Sequence, residues 1–305
     1  MENRYDIAII GSGPAGLTAA IYTQRGGMKS IIIGGPAPGG LLLQTMEIEN
    51  FPGFEKPISG YDLMSRIINQ AKRLGAVLTT DYADDIIIKN PFEIKAGANT
   101  YIAKAIIVAT GSSPRRLGIE GEERFKNRGV SYCATCDGFF YKGKDVCVIG
   151  GGDTACEEAV FLTGFANKVY LIHRRDKLRA SALLQEKVKK NSKIEIVFNH
   201  IVKEIKGENR VEKVVLKNTL DGSEREISLN GVFIAIGHEP NSSILKGKVE
   251  IDSEGYVKVN GNYETSVKGI FACGDVVDKI YKQAVIAAGS GAMAAMNAIK
   301  YIESL

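Results

Sequence analysis

An α/β fold of two units, each built on buried parallel strands and one nested inside the other, is predicted by three observations. Two glycine-rich loops, Gly11-Ser12-Gly13-Pro14-Ala15-Gly16 and Gly150-Gly151-Gly152-Asp153-Thr154-Ala155, each follow a short run of branched apolar residues. In both copies a helical pattern comes next and then a second apolar run, which reaches Gly34 in one and His173 in the other, the same 23 residues beyond the first glycine. At 305 residues the chain is too long for one hydrophobic core and suits two.

Taken in order, Ile7-Ala8-Ile9-Ile10 predicts the first strand, because strands of a parallel sheet are buried on both faces and read as continuous apolar runs. The small residues from Leu17 to Gly27 predict a helix, and Ile31-Ile32-Ile33 the second strand. The same grammar returns with Val146-Cys147-Val148-Ile149, a helix through Leu162, and Val169-Tyr170-Leu171-Ile172. Each copy has a later strand-like run ending in glycine, Ala105–Gly111 and Gly231–Gly237. The tail from Ile251 carries alternating, strand-like residues, then Gly274-Asp275, then a helix-like run from Gln283 to Ile302. It is too short for a third domain and is expected to rejoin an earlier one. Ser112-Ser113-Pro114 and His238-Glu239-Pro240 mark the crossings. The expected domains are therefore 1–112 with 243–305, and an inserted 113–242.

Composition narrows the function classes. The chain is 45% hydrophobic and 24% charged, an ordinary globular balance. A net charge of +4 with no clustered basic face argues against nucleic acid as a partner. No apolar run approaches the ~18–20 residues that span a bilayer, so no membrane partner is expected. The start lacks the basic-then-apolar pattern of a signal peptide, and five cysteines do not make a secreted disulfide scaffold. A cytoplasmic protein is the expectation.

A glycine loop alone is weak evidence, but a strand before it and a helix after it give it a mechanism. The glycines let backbone approach a pyrophosphate, which the helix N-terminus attracts through oriented N–H groups. Both units thus read as Rossmann-like dinucleotide-binding folds. At the second strand end a carboxylate normally bonds a ribose 2′-hydroxyl, whereas arginine accommodates a 2′-phosphate. The second copy has His173-Arg174-Arg175, with Arg179 close behind, and points to NADPH. Charge-assisted hydrogen bonds from two arginines would favour NADPH over NADH by roughly 3–6 kcal/mol. The first copy has Gly34 in place of the carboxylate, which argues against NAD there. Its compensating signal is the distant Gly274-Asp275, a close backbone approach followed by a carboxylate suited to the ribityl hydroxyls of a flavin.

Cys133-Ala134-Thr135-Cys136 is a CxxC pair, which is half of a zinc site, a redox disulfide, or an accident of sequence. Tetrahedral zinc needs two further ligands, usually a second close pair. Cys147, Cys156 and Cys273 are solitary, and the first two sit in apolar or helical runs as small hydrophobes do. No metal site is assigned.

Together, GSGPAG at Gly11–Gly16, Glu49-Asn50-Phe51-Pro52-Gly53, CATCDGFF at Cys133–Phe140, GGGDTA at Gly150–Ala155, HRRDKLR at His173–Arg179, GHEPN at Gly237–Asn241 and GIFACGDV at Gly269–Val276 resemble the bacterial-type, low-molecular-weight thioredoxin reductases. The motifs occur in family order along nearly the whole chain, and CATCDGFF is the most specific. The resemblance implies a homodimeric enzyme that passes electrons from NADPH through FAD and an internal disulfide to thioredoxin or a thioredoxin-like protein. It implies an NADPH domain inserted into a discontinuous FAD domain. It makes Cys133 and Cys136 the redox pair, with Cys136 facing the flavin, and Asp137 the acid of the exchange. The FAD candidates are Ser12, Gly13, Pro14, Ala15, Gly35, Gly40, Leu41, Asn50, Thr110, Gly111, Asp275, Lys282, Gln283 and Ala284. The NADPH candidates are Gly152, Asp153, Thr154, Glu157, His173, Arg174, Arg175, Arg179 and Gly237. Two positions depart from the family pattern. Leu41 replaces a usual glutamine and cannot donate to the flavin ring, and Lys282 replaces an arginine, keeping the charge but losing the planar fork.

Cys136 precedes the second glycine loop by only fourteen residues, so the hydride donor and the disulfide share one domain while the flavin belongs to the other. This predicts a rotation at the Ser112–Arg116 and Glu239–Ser243 crossings that alternates the two at the flavin. The rival readings are a flavin oxidase or a reductase of another small disulfide. More remote is a non-catalytic redox sensor or zinc-binding nucleotide module.

Overall fold

Strand β1 (Arg4–Ile10) runs directly into α1 (Pro14–Arg25) in the computed structural model of the protein, which describes residues 3–45 and 47–305. Proline opens the helix in its first turn, where the missing N–H has no intrahelical partner to lose. β2 (Ser30–Ile33) lies parallel to β1, from Ile7 beside Ser30 to Ile10 beside Ile33, and all these paired residues are buried. Next come α2 (Gly60–Arg73), β3 (Val77–Thr79), β4 (Asp85–Ile87), β5 (Phe92–Ala96) and the longer β6 (Asn99–Val108). β7 (Ser112–Pro114) follows.

A second series begins with β8 (Val130–Ser131), the one-turn helix α3 (Ala134–Asp137) and β9 (Asp145–Ile149). It continues through α4 (Asp153–Leu162), β10 (Lys168–Ile172), α5 (Ala182–Lys190) and β11 (Ile194–Val197). β12 (His200–Lys206), β13 (Lys213–Asn218), β14 (Glu224–Ser228) and β15 (Gly231–Ile234) complete it. The chain ends with β16 (His238–Pro240), β17 (Ile270–Ala272) and α6 (Ala284–Glu303).

These elements form two compact units, Met1–Ser113 with Glu239–Leu305, and Pro114–His238. In the first, the sheet runs β3-β2-β1-β6-β5-β4. β6 pairs parallel with β1 along one edge and divides the other between two partners: its first half pairs antiparallel with β5, and Ile106 to Val108 pair parallel with β17. Alternation along β1 sends Ile7 and Ile9 into a core with α1, α2 and α6, and Ala8 and Ile10 into a core with β5 and the tail. α6 has the length and composition of a membrane-spanning helix, yet its small-residue face (Ala287, Ser290, Gly291, Ala294, Ala295, Ala298) is buried, with α1 as its main neighbour.

The second unit holds a parallel sheet in the order β11-β10-β9-β15-β8 and an antiparallel sheet β12-β13-β14. Cys147 and Cys156 are buried in its cores, as their apolar settings predict. His200 begins β12, half-buried, with Nδ1 2.6 Å from the Phe198 carbonyl.

One expectation fails. The alternating residues after Ile251 do not form a continuous strand before β17; among the described residues they make only the isolated bridges Ile251–Val257 and Glu264–Phe271. Side chains break the pattern: Asp252 accepts from the N–H groups of Glu254 and Tyr256, and Asn260 from those of Asn262 and Glu264. The crossings β7 and β16 pair with each other. Arg115 N donates to Gly237 O (3.0 Å) and Asn241 N to Gly111 O (2.9 Å), an antiparallel register.

Candidate active site

Cys133 and Cys136 are joined as a disulfide, in keeping with the redox reading of the pair. Cys133 is the residue before α3, and its N–H donates to Ser131 Oγ at 3.1 Å. Its sulfur lies 3.3 Å from the Thr135 hydroxyl. Cys136 is exposed and Cys133 half-buried. Asp137 closes the turn, its N–H on the Cys133 carbonyl. Burial pushes the Asp137 carboxyl up from its ordinary range, against a hydrogen bond from Ser131. Sequence reasoning missed a second carboxyl beside the pair. Glu158, on α4, accepts from Ala134 N at 3.5 Å, and burial pushes its pKa up to about 7. The available signal was periodicity, since Glu158 lies one helical turn from the buried Ala155 and Leu162, a charged residue beside an apolar stripe.

The first glycine loop gathers most FAD candidates in the first unit. Gly13 precedes α1 without a capping side chain, and a Cβ there would meet no atom within 4 Å, so the helix N-terminus opens on free space. That is a fit for a diphosphate. Pro14 and Ala15 form the first turn, and Gly40 packs on Gly13 so closely that its own Cβ would lie 3.1 Å from Gly13 Cα. Ser12 is buried and structural: its Oγ donates to Gly34 O (2.8 Å) and accepts from Gly39 N (3.2 Å). Gly35 N bonds Asp81 O, and Leu41 is exposed on a short 3₁₀ turn. Thr110 and Gly111 are tied to Asn241, Thr110 through its hydroxyl at 2.6 Å. Two further candidates meet across the sequence: Asn50 Nδ2 donates to Gln283 Oε1 (3.2 Å), immediately before Ala284 opens α6. Asp275 is pushed up to about 6 by burial and by the Asp278 charge, with Lys282 opposing. Lys282 is lowered by burial and donates through Nζ to the Lys279 carbonyl, its backbone in the left-handed region (φ 48°).

The second loop repeats the arrangement. Gly152 precedes α4 with no cap and open space at its Cβ position. Thr154 and Glu157 are exposed on the first turns of α4. Asp153 accepts from Ser181 N (2.6 Å) and Gly151 O from Arg179 N (2.6 Å), so the segment after β10 is pinned to the loop. Arg174, Arg175 and Arg179 are exposed on that segment. His173 is buried against Gly151, where a Cβ would lie 2.2 Å from Nδ1. Burial lowers its pKa, against hydrogen bonds at the Lys177 and Gly150 backbones. Its Nε2 has no partner among the described residues. Gly237 sits apart, at the exit strand, bonded to Arg115 N.

Residues 5–291 match the family described as pyridine nucleotide-disulphide oxidoreductase. The chain is 48% identical to the thioredoxin reductase of Rickettsia conorii, over 97% of each chain. Among solved structures, thioredoxin reductase from Streptococcus pyogenes is 40% identical with a TM-score of 0.94 over 100% of both chains. The Lactococcus lactis thioredoxin reductase in its FR conformation is also 40% identical, with a TM-score of 0.69 over 99% of this chain and 100% of that one. The chain therefore belongs to the pyridine nucleotide-disulphide oxidoreductases, as a thioredoxin reductase of the bacterial type.

Proposed function

We propose that the protein is an NADPH-dependent flavoprotein that reduces the disulfide of thioredoxin or a thioredoxin-like protein through Cys133–Cys136, acting as a homodimer in the cytoplasm. One observation carries the reading: a disulfide with an exposed cysteine stands just before the second of two open, uncapped glycine loops. FAD would be held by the first loop, Asn50, Gln283 and Asp275, and NADPH by the second loop and the arginine segment. When bound, FAD supplies a two-electron carrier between the nicotinamide and the disulfide.

The chain's own residues then act in order. Reduction breaks the Cys133–Cys136 bond and takes up two electrons and two protons. The Cys133 thiolate attacks the partner's disulfide, forming a mixed disulfide as the partner's S–S bond breaks. Cys136 attacks Cys133 Sγ, restoring the internal bond and releasing the partner with both electrons. Asp137 hands a proton to the departing thiolate, and its raised pKa suits that task. The test is steady-state NADPH oxidation with thioredoxin, oxygen and a small disulfide side by side. Thioredoxin is expected to be fastest, and a faster reaction with oxygen would establish the oxidase reading instead.

The arginines set the nucleotide. Their exposure screens them, so replacing Arg174 and Arg175 by alanine is expected to cut the NADPH preference by about 10²-fold, at the low end for two charge-assisted bonds. An unchanged ratio of NADPH to NADH turnover would remove them from the site.

The rotation belongs to this proposal. Two solved relatives of equal identity, 40%, differ in TM-score from 0.94 to 0.69, the spread expected when relatives occupy different conformations. An engineered disulfide joining the two units is expected to permit at most one turnover per enzyme, and normal multiple turnover in the locked protein would refute the rotation.

A further inference from the structure

Glu158 has no part in the chemistry above, yet it contacts the element that carries the redox pair. Its Oε1 accepts from Ala134 N, a first-turn N–H of α3 and the residue immediately after Cys133. Its other oxygen, Oε2, is buried with no partner among the described residues. β9, β10 and α5 contribute Val146, Val148, Val169, Leu171, Leu184 and Val188 to the core around α4. Two groups act on the Glu158 carboxyl itself, the charge of Glu157 on the same helix and the Ala134 N–H of α3.

We propose that Glu158 is a positioning residue for the redox pair: it grips the first turn of the cysteine helix, and its charge state sets how readily the reduced pair ionises. The physical reason lies in the helix end. A thiolate at a helix N-terminus is stabilised by the first-turn N–H groups. Neutral Glu158 leaves that positive end available to sulfur. Ionised Glu158 adds a like charge beside it, and holds the thiol protonated. Burial, with the Glu157 charge reinforcing it and the Ala134 hydrogen bond opposing, moves this change to near neutral pH.

The proposal rests on the redox reading of Cys133–Cys136, and the test separates the two. Wild type and Glu158→Gln, which keeps the acceptor oxygen but cannot ionise, are reduced with dithiothreitol. Each is then alkylated with iodoacetamide across pH 5 to 9, with the modified cysteine located by peptide mass spectrometry. Loss of a like charge held on the N–H next to Cys133 is worth about one pKa unit, so Glu158→Gln is expected to alkylate roughly tenfold faster at pH 8 and equally at pH 5. A second readout is melting temperature. Native Glu158 keeps its proton to about 7 while an unfolded glutamate loses it near ~4.3, so wild-type stability falls as pH rises between those values. Glu158→Gln is expected to lack that fall. Identical alkylation profiles overturn the proposal and leave the redox reading standing. Failure of NADPH to generate alkylatable Cys133 and Cys136 in wild type overturns the redox reading, while the dithiothreitol comparison still decides the role of Glu158. Should Glu158→Gln not fold, the profile of Asp137→Asn decides: a second inflection near neutrality supports the proposal, and a single step overturns it.

Discussion

Serine at Cys136 is expected to reduce turnover with thioredoxin by at least about 10³-fold, while NADPH still bleaches the yellow protein at close to the normal rate. The internal disulfide cannot form without Cys136, so no sulfur relay connects the bound flavin to an external disulfide. The glycine loops and the arginine segment lie elsewhere in the sequence and lose nothing. Stopped-flow absorbance measures the first half-reaction and steady-state NADPH oxidation the whole cycle. Survival of thioredoxin turnover would show that electrons reach the partner by another route. Slow bleaching would place Cys136 in hydride transfer instead.

Gly291→Ala is expected to have a large effect far from the redox pair in sequence. In α6 this glycine lies so close to α1 that a Cβ would sit 2.1 Å from Ala15 O and 2.9 Å from Ala15 C. The obstacle is backbone, so no rotamer relieves it, and one helix must move off the other. Overpacking of this kind costs about 3 kcal/mol, and a shift of α1 also displaces the helix N-terminus expected to meet the FAD diphosphate. The variant is expected to melt roughly 10 °C lower, at a few degrees per kcal/mol, and to purify with little flavin. Gly289→Ala is the control. It lies in the same helix, and a Cβ there meets nothing within 4 Å, so alanine should be neutral or stabilising by up to ~1 kcal/mol. Equal behaviour of the two would show that the α1–α6 approach is not tight.

Motif reading found the strand–glycine–helix turns because their chemistry is local: apolar run, backbone that must come close, helix start. It found α4 to its last residue, Leu162, and α6 to within a residue at each end. It lost the stretch after Ile251, where alternating Val257, Val259 and Tyr263 imitate a strand but Asp252 and Asn260 fold their own backbone into turns. The periodicity of α4 marked Glu158 as a charge beside an apolar stripe, but its contact was hidden for a different reason. Its partner is a backbone N–H 24 residues upstream, and backbone groups leave no signature in sequence. Ser12 shows the converse case, a motif residue whose hydroxyl is already consumed in tying Gly34 to Gly39.

The pairing of β7 with β16 also bears on how such a chain is assembled and rearranged. The segment 114–238 begins and ends on neighbouring hydrogen-bonded strands, so its two ends are side by side. A short tether could close it into a ring or join the flanking pieces after its removal, as suits segments with adjacent ends. At the level of the gene, segment 114–238 could then be exchanged as one piece, since both of its ends leave the host at the same place.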